Sequence, residues 1–173
     1  GIAYRLHVQC AKITNLILWN RVYCMRLETQ IALITGGSGG FGQATCQRFV
    51  EEGSTVILAD INTEKLEGLA HQYQEHSNQV KCITLDVSDF KKVELGVNDI
   101  ISEYGRIDIL VNNAGVDQPP DSDGNRSVIH DLSIDQIRHM VEVNFLGTLQ
   151  VIQNIGSKMV PLGTGSILSL IHI

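Results

Sequence analysis

From Gln30 onward, short apolar runs alternate with stretches of helical period. Ile31–Thr35 is a continuous apolar run that ends in a cluster of glycines, the pattern of a strand buried on both faces. Residues 40–52 predict a helix, with Ala44, Phe49 and Val50 apolar and Gly53 as its stop. Thr55–Asp60 reads as a second strand, and residues 62–74 as a helix capped by Asn62 or Thr63. Residues 80–87 predict a third strand, Ser88-Asp89-Phe90 opens a helix reaching Tyr104, and residues 107–111 predict a fourth strand. The polar stretch 116–131, with Pro119-Pro120 and Asp123-Gly124-Asn125, reads as a loop. Ser133 and Gln136 have capping-box spacing, so a helix is expected from there to about Met159. Its residues 140–152 are apolar nearly all round, as in a helix buried on two sides. Residues 161–165 break it, and Ser166 begins a fifth strand. Alternation of this kind predicts βαβ units with right-handed crossovers, hence an α/β doubly wound parallel sheet with five strands in this chain.

Composition narrows the function classes. The 173 residues suit one domain, and 43% apolar with 18% charged residues is ordinary for a globular protein. A net charge of −6 argues against nucleic acid or an anionic membrane as the main partner, and no apolar run is long enough to span a bilayer. Cys10, Cys24, Cys46 and Cys82 are scattered, with no CxxC pair. They read as small hydrophobes in a reducing, cytoplasmic setting, with no metal site.

Both ends differ from the middle. Residues 1–24 contain Arg5, Lys12 and Arg21 but no Asp or Glu, and they begin with Gly. The expectation is that Met25 starts the natural chain and that residues 1–24 are translated upstream sequence. A signal peptide fits less well, because the apolar stretch at 13–19 is interrupted by Asn15 and no small-residue cleavage site precedes Met25. A transit peptide fits weakly, since the segment is acid-free but not rich in Arg or Ser. At the other end, Leu168-Ser169-Leu170-Ile171-His172-Ile173 is the translation of CTG TCT CTT ATA CAC ATC, the start of a transposase adapter used in preparing sequencing libraries. The natural domain is therefore expected to span 25–167, with 168–173 as an adapter-derived tail; a plain β-strand is the competing reading of the last residues.

The chemistry lies in the turn Thr35-Gly36-Gly37-Ser38-Gly39-Gly40-Phe41-Gly42. A pyrophosphate needs backbone N–H groups and the positive end of a helix, and a Cβ would hold the backbone away from it. The turn fits two glycine phases, Gly37-x-Gly39-x-x-Gly42 and Thr35-Gly36-x-x-x-Gly40-x-Gly42. A flexible loop is the competing reading of any glycine string, but this one joins a predicted strand to a predicted helix. Asp60 follows Gly42 by eighteen residues, at the end of the second strand, where a carboxylate can accept from the adenosine ribose hydroxyls. Ile61 comes next, and the turn holds no Arg or Lys to welcome a 2′-phosphate, so NAD is the expected cofactor.

Taken in order, Thr35-Gly36-x-x-x-Gly40-x-Gly42, Asp86-Val87, Asn112-Asn113-Ala114-Gly115 and Val143-Asn144 resemble the short-chain dehydrogenase/reductase family. The resemblance covers residues 25–167 and implies a Rossmann-type fold whose later helices and strands are missing here. It implies cofactor contacts from Gly36, Ser38, Gly39, Gly40, Phe41, Gly42, Asp60 and Ile61. It places Asp86 and Val87 against the adenine, and Asn113, Ala114 and Gly115 along the central cleft. Asn144 would be the catalytic asparagine, which in the family holds a water in the proton relay. A small alcohol or ketone is the implied substrate, and a homodimer or homotetramer the implied assembly of the complete protein.

One part of the family pattern is absent. Hydride transfer there uses a Ser and a Tyr-x-x-x-Lys after the fifth strand, whereas the tyrosines here are 4, 23, 73 and 104, none with Lys four residues on. His172 is no convincing substitute. The chain as written is expected to bind cofactor without turnover, and a non-catalytic dinucleotide-binding module is the alternative reading. A family member isomerising a sugar nucleotide fits less well.

Overall fold

The strands are short, mostly apolar segments joined by helical crossovers, and this gives all five the same direction. The computed structural model describes residues 25–117 and 132–170. The chain runs β1 (Ile31–Thr35), α1 (Gly40–Glu51), β2 (Thr55–Asp60), α2 (Thr63–Gln72), β3 (Val80–Thr84), α3 (Phe90–Tyr104) and β4 (Ile109–Asn112). It continues through α4 (Ile134–Val141), a π-helical segment (Glu142–Gly147), α5 (Thr148–Met159) and β5 (Ser166–Ser169). The sheet order is β3-β2-β1-β4-β5, and every pairing is parallel.

Alternation along the buried strands divides the core between two faces. Leu33, Ile57, Ala59 and Leu110 pack with Val93, Val97 and Ile100 of α3 and with Val151 and Ile155 of α5. Ile34, Val56, Leu58 and Val111 pack on the other side with Cys46 of α1 and Leu66 and Leu69 of α2. Helices from β1 and β4 therefore leave on opposite faces, and a crevice opens between the carboxyl ends of those two strands. Cys46 is a core residue whose burial pushes its thiol up to about 11, so it packs as a hydrophobe.

Caps follow the sequence closely. Asn62 accepts from Lys65 N–H, Asp89 from Lys91 and Lys92 N–H, and Ser133 and Gln136 form the reciprocal capping box. Several boundaries differ from expectation, among them the end of α2, which stops at Gln72. β3 stops at Thr84 because its partner β2 turns away after Asp60, leaving Leu85 N–H on the Asp60 carbonyl as the last bond. β4 starts two residues later than expected and ends one later, at Ile109–Asn112, and Asp108 instead turns its carboxylate onto Ile31 N–H at 2.9 Å. The last helix is not continuous: a wider π turn spans Glu142–Gly147.

The apolar residues of that helix bury one side. Val143, Gly147, Val151, Ile155 and Met159 face the sheet, while Val141, Phe145, Leu146 and Leu149 are exposed. On the far edge, β5 is exposed along its length, with Ile167 and Leu168 among its open apolar side chains. β5 includes Leu168 and Ser169, paired with Val111 and Asn112. Residues 1–24 with Cys10, Cys24, Tyr4 and Tyr23, residues 118–131, which hold most of the stretch expected as a loop, and the last three residues with His172 lie outside the described residues.

A buried carboxylate ties the start of the fold together. Glu52 is 6% exposed and is paired with both Arg26 and Arg48, and the Arg26 guanidinium holds its carboxyl below the ordinary carboxylate value. A lowered folded value means the stabilisation is complete at neutral pH and is lost as pH falls through the carboxylate range. Urea midpoints should thus drop between pH 6 and pH 3, and Glu52→Gln should flatten part of that drop. An identical acid profile in the variant would remove Glu52 from the account.

Candidate cofactor-binding site

The glycine turn is shaped by contacts that exclude side chains. Gly36 has φ +63°, and a Cβ there would stand 2.8 Å from Ala114 Cα. A Cβ on Gly42 would stand 2.5 Å from the Gly36 carbonyl oxygen and 2.7 Å from Gly37 Cα. Both glycines are needed by the fold itself. Gly40 is different, because a Cβ there would meet nothing within 4 Å, and its φ lies outside the left-handed region. Protein packing gives no reason for glycine at that position; a ligand lying against the start of α1 would. The first turn of α1 has no side-chain cap and no acidic residue, so its N–H groups are left for an anion.

Asp60 closes the turn from the side. Its Oδ2 accepts from Ser38 N–H at 3.0 Å and its Oδ1 from Asn62 N–H at 2.9 Å. Gln43 donates to the Ser38 carbonyl at 2.8 Å, fixing the turn's other edge. Ile61, 66% exposed, projects next to Asp60. Asp86 makes its own tight turn, accepting from both the N–H and the hydroxyl of Ser88. Val87 is held by Gln150, which donates to its carbonyl, and Gly147 lets the π segment pass close to the Val87 side chain.

The strand ends are joined by a buried polar knot. The Thr35 hydroxyl donates to Asn112 Oδ1 and accepts from the N–H groups of Asn113 and Ala114, each at 3.0 Å. Asn112 in turn donates to the Thr148 carbonyl at 2.9 Å, and Asn113 Nδ2 donates to the carbonyls of Thr35 and Gly36. Asn144 spends both ends of its amide on one residue, accepting from Val116 N–H at 2.8 Å and donating to Val116 O at 2.9 Å. The π turn carries it there, and its side chain fixes the segment that follows β4.

A cleft of about 200 Å³ gathers most of these groups. It is lined by Gly36, Asp60 and Ile61, by Asp86, Val87 and Ser88, by Ala114, Gly115 and Val116, and by His139 and Val143. Ser38, Gly39, Gly40, Phe41 and Gly42 form the turn beside it, and Asn113 and Asn144 brace it from behind through the bonds given above. Sequence reasoning missed Thr35 as a hydroxyl, Asn112, Gln150 and His139. Thr35 and Asn112 carried a signal, as the first residue of the glycine motif and of the Asn-Asn-Ala-Gly run; Gln150 and His139 carried none. A second and larger groove, about 520 Å³, lies along the open side of β4 and β5, with Phe49, Val111 and Leu168 among its walls.

A glycine turn leading into an uncapped helix start, a carboxylate at the end of β2 and a crevice at the switch point define an α/β domain of the Rossmann type. The profile of the short chain dehydrogenase family matches residues 30–171, and the chain belongs to that family. It is 33% identical over 146 residues to the 3-oxoacyl-[acyl-carrier-protein] reductase of Thermotoga maritima, covering 84% of this chain and 56% of the relative. D-threitol dehydrogenase of Mycolicibacterium smegmatis is 30% identical over 145 residues, 84% of this chain and 53% of the relative. Among solved structures, NAD+-bound xylitol dehydrogenase superposes with a TM-score of 0.74 at 27% identity, over 83% of this chain and 53% of that one. The chain thus spans about half the length of the relatives it matches. No helix among the described residues is long and apolar enough to cross a membrane.

Proposed function

We propose that this chain is the cofactor-binding part of an NAD-dependent short-chain dehydrogenase, which in its whole form moves hydride between a small alcohol or ketone and NAD. The observation that carries the cofactor choice is Asp60, whose carboxylate faces the glycine turn with no Lys or Arg among the residues lining the cleft. A 2′-phosphate would meet that carboxylate without a compensating cation, whereas ribose hydroxyls can donate to it.

The dinucleotide supplies the hydride acceptor or donor when bound. The residues of this chain do the holding. Gly40, Phe41 and Gly42 present backbone N–H groups to the pyrophosphate, while Ser38 and Gly39, whose N–H groups bond to Asp60 and to the Gly36 carbonyl, border it. Asp60 and Ile61 take the adenosine ribose side. Asp86 and Val87 take the adenine, while Asn113, Ala114 and Gly115 form the floor under the central part. Asn144 acts here by fixing Val116, and the family's water relay is proposed to run beside it.

Because the chain contains no Tyr-x-x-x-Lys, the 173-residue protein is proposed to bind cofactor without catalysing turnover. The exposed row Val141, Phe145, Leu146 and Leu149 is offered as the surface through which the complete protein forms dimers or tetramers. The free thiols of Cys46 and Cys82 suit the cytoplasm.

Calorimetric titration with NAD+ and NADP+ tests the reading. NAD+ should bind at least tenfold more tightly, and Asp60→Ala should erase most of that preference. Tighter NADP+ binding by the unaltered chain would refute the assignment.

A further inference from the structure

Val87 is gripped from α5 by a side chain that the cofactor reading does not use. Gln150, in the first turn of that helix, donates its side-chain amide to the Val87 carbonyl. At the other end of the same peptide, the Ser88 N–H donates to Asp86 Oδ1 at 2.9 Å. The Val87–Ser88 peptide is therefore fixed at both polar ends, by Gln150 on one side and Asp86 on the other. The Ser88 hydroxyl adds a second bond to the same carboxylate oxygen, and Asp89 N–H closes on the Asp86 carbonyl at 3.2 Å. Gly147 completes the grip, since a Cβ there would stand 3.0 Å from Val87 Cγ2 and 3.1 Å from its carbonyl oxygen.

Two groups remain for a ligand. Both bonds that Asp86 accepts fall on Oδ1, which leaves Oδ2 as an acceptor. The Val87 N–H has no partner among the described residues. Asp86 and Val87 both line the cleft. An acceptor beside a donor suits a base with an amino group beside an unprotonated ring nitrogen, as in adenine. Hypoxanthine has the reverse, a carbonyl beside a ring N–H, and would leave both protein groups unsatisfied.

We propose that Gln150 is a positioning residue for base recognition. Acting through the Val87–Ser88 peptide, it sets the Asp86 carboxylate and the Val87 N–H for adenine and against hypoxanthine. The inference rests on the dinucleotide reading above and adds the residue that governs its base selectivity. Without the Gln150 bond the peptide is free to rotate. Ser88 N–H then leaves Oδ1, and the carboxylate loses its orientation.

The test is calorimetric titration of this chain with NAD+ and with nicotinamide hypoxanthine dinucleotide. The unaltered chain should bind NAD+ at least about tenfold more tightly than the analogue. Gln150→Met keeps the length but not the donor, and should reduce the ratio to about threefold or less. Gln150→Glu stays polar but has no donor at neutral pH, and should act alike. Gln150→Arg carries an N–H where the amide nitrogen stood, and should recover most of the ratio. Equal losses for both dinucleotides in the Met and Glu variants would make Gln150 merely structural and overturn the proposal. A ratio in Gln150→Arg as low as in Gln150→Met also overturns it. A ratio near one in the unaltered chain does so too, and leaves the dinucleotide reading standing. Absence of NAD+ binding by the unaltered chain overturns both.

Discussion

Gly42→Ala is expected to destabilise the chain by about 2–3 kcal/mol, while Gly40→Ala two residues earlier leaves its stability unchanged or slightly raised. The difference comes from what a methyl group meets. At Gly42 it would fall 2.5 Å from the Gly36 carbonyl oxygen and 2.7 Å from Gly37 Cα, backbone atoms that cannot rotate away. The turn would have to open, and Gly36, itself pressed against Ala114, limits that movement. At Gly40 the methyl enters open space and improves the first turn of α1. The same methyl would occupy the space assigned to the pyrophosphate, so Gly40→Ala should lower NAD+ affinity at least tenfold, a change of about 1.4 kcal/mol. Urea midpoints and NAD+ titrations of both variants separate the roles. A Gly40→Ala protein that binds NAD+ as well as the parent would show that nothing lies against that position.

Thr35→Val should cost about 2–4 kcal/mol although it preserves the shape of the side chain. Its hydroxyl is buried and serves three partners: Asn112 Oδ1 as donor, and the N–H groups of Asn113 and Ala114 as acceptor. Valine would strand two backbone donors and one amide oxygen in the core, and unmade buried hydrogen bonds are the expensive kind. Thr35→Ser keeps the hydroxyl and loses one methyl, so it should recover most of the stability. The serine variant decides the cause: a loss equal to that of Thr35→Val would assign the effect to packing. Because the knot sets the position of Asn113 and Ala114, NAD+ affinity should fall with stability in the valine variant and recover in the serine one.

The number of strands and their parallel direction were legible because each apolar run is short, bounded and separated from the next by a helical stretch or crossover; their order in the sheet was not read from the sequence. The glycine turn, Gly53 and the capping residues punctuate the runs, although only the structure decides between Asn62 and Thr63, with Asn62 as the cap. Strand ends were less legible, since Val87 is as apolar as Ile83, and only the departure of β2 after Asp60 ends the ladder at Thr84. The π turn at Glu142–Gly147 left no mark in the periodicity, because one extra residue shifts a nearly all-apolar helix without exposing a polar face. For the same reason the exposure of Val141, Phe145, Leu146 and Leu149 could not be read from the pattern.

At the site, the residues legible in sequence were those whose chemistry stands out at a strand end: the glycines, Asp60, Asp86 and the Asn-Asn-Ala-Gly run. Thr35 looked like the last residue of a strand, and its three hydrogen bonds depend on β1 and β4 being neighbours. His139 lies about fifty residues from Asp86 along the chain, on a helix whose other polar residues are solvated. Only the return of α4 over the carboxyl ends of the strands puts it in the cleft.

The most direct test of the central claim is amide hydrogen exchange of this chain with and without NAD+. If one dinucleotide site is built from these segments, exchange should slow together at residues 36–42, 60–62, 86–88 and 113–116. The groove bordered by Phe49 and Leu168 should be unaffected. Protection confined to that groove, or no protection in the glycine turn at saturating NAD+, would contradict the account.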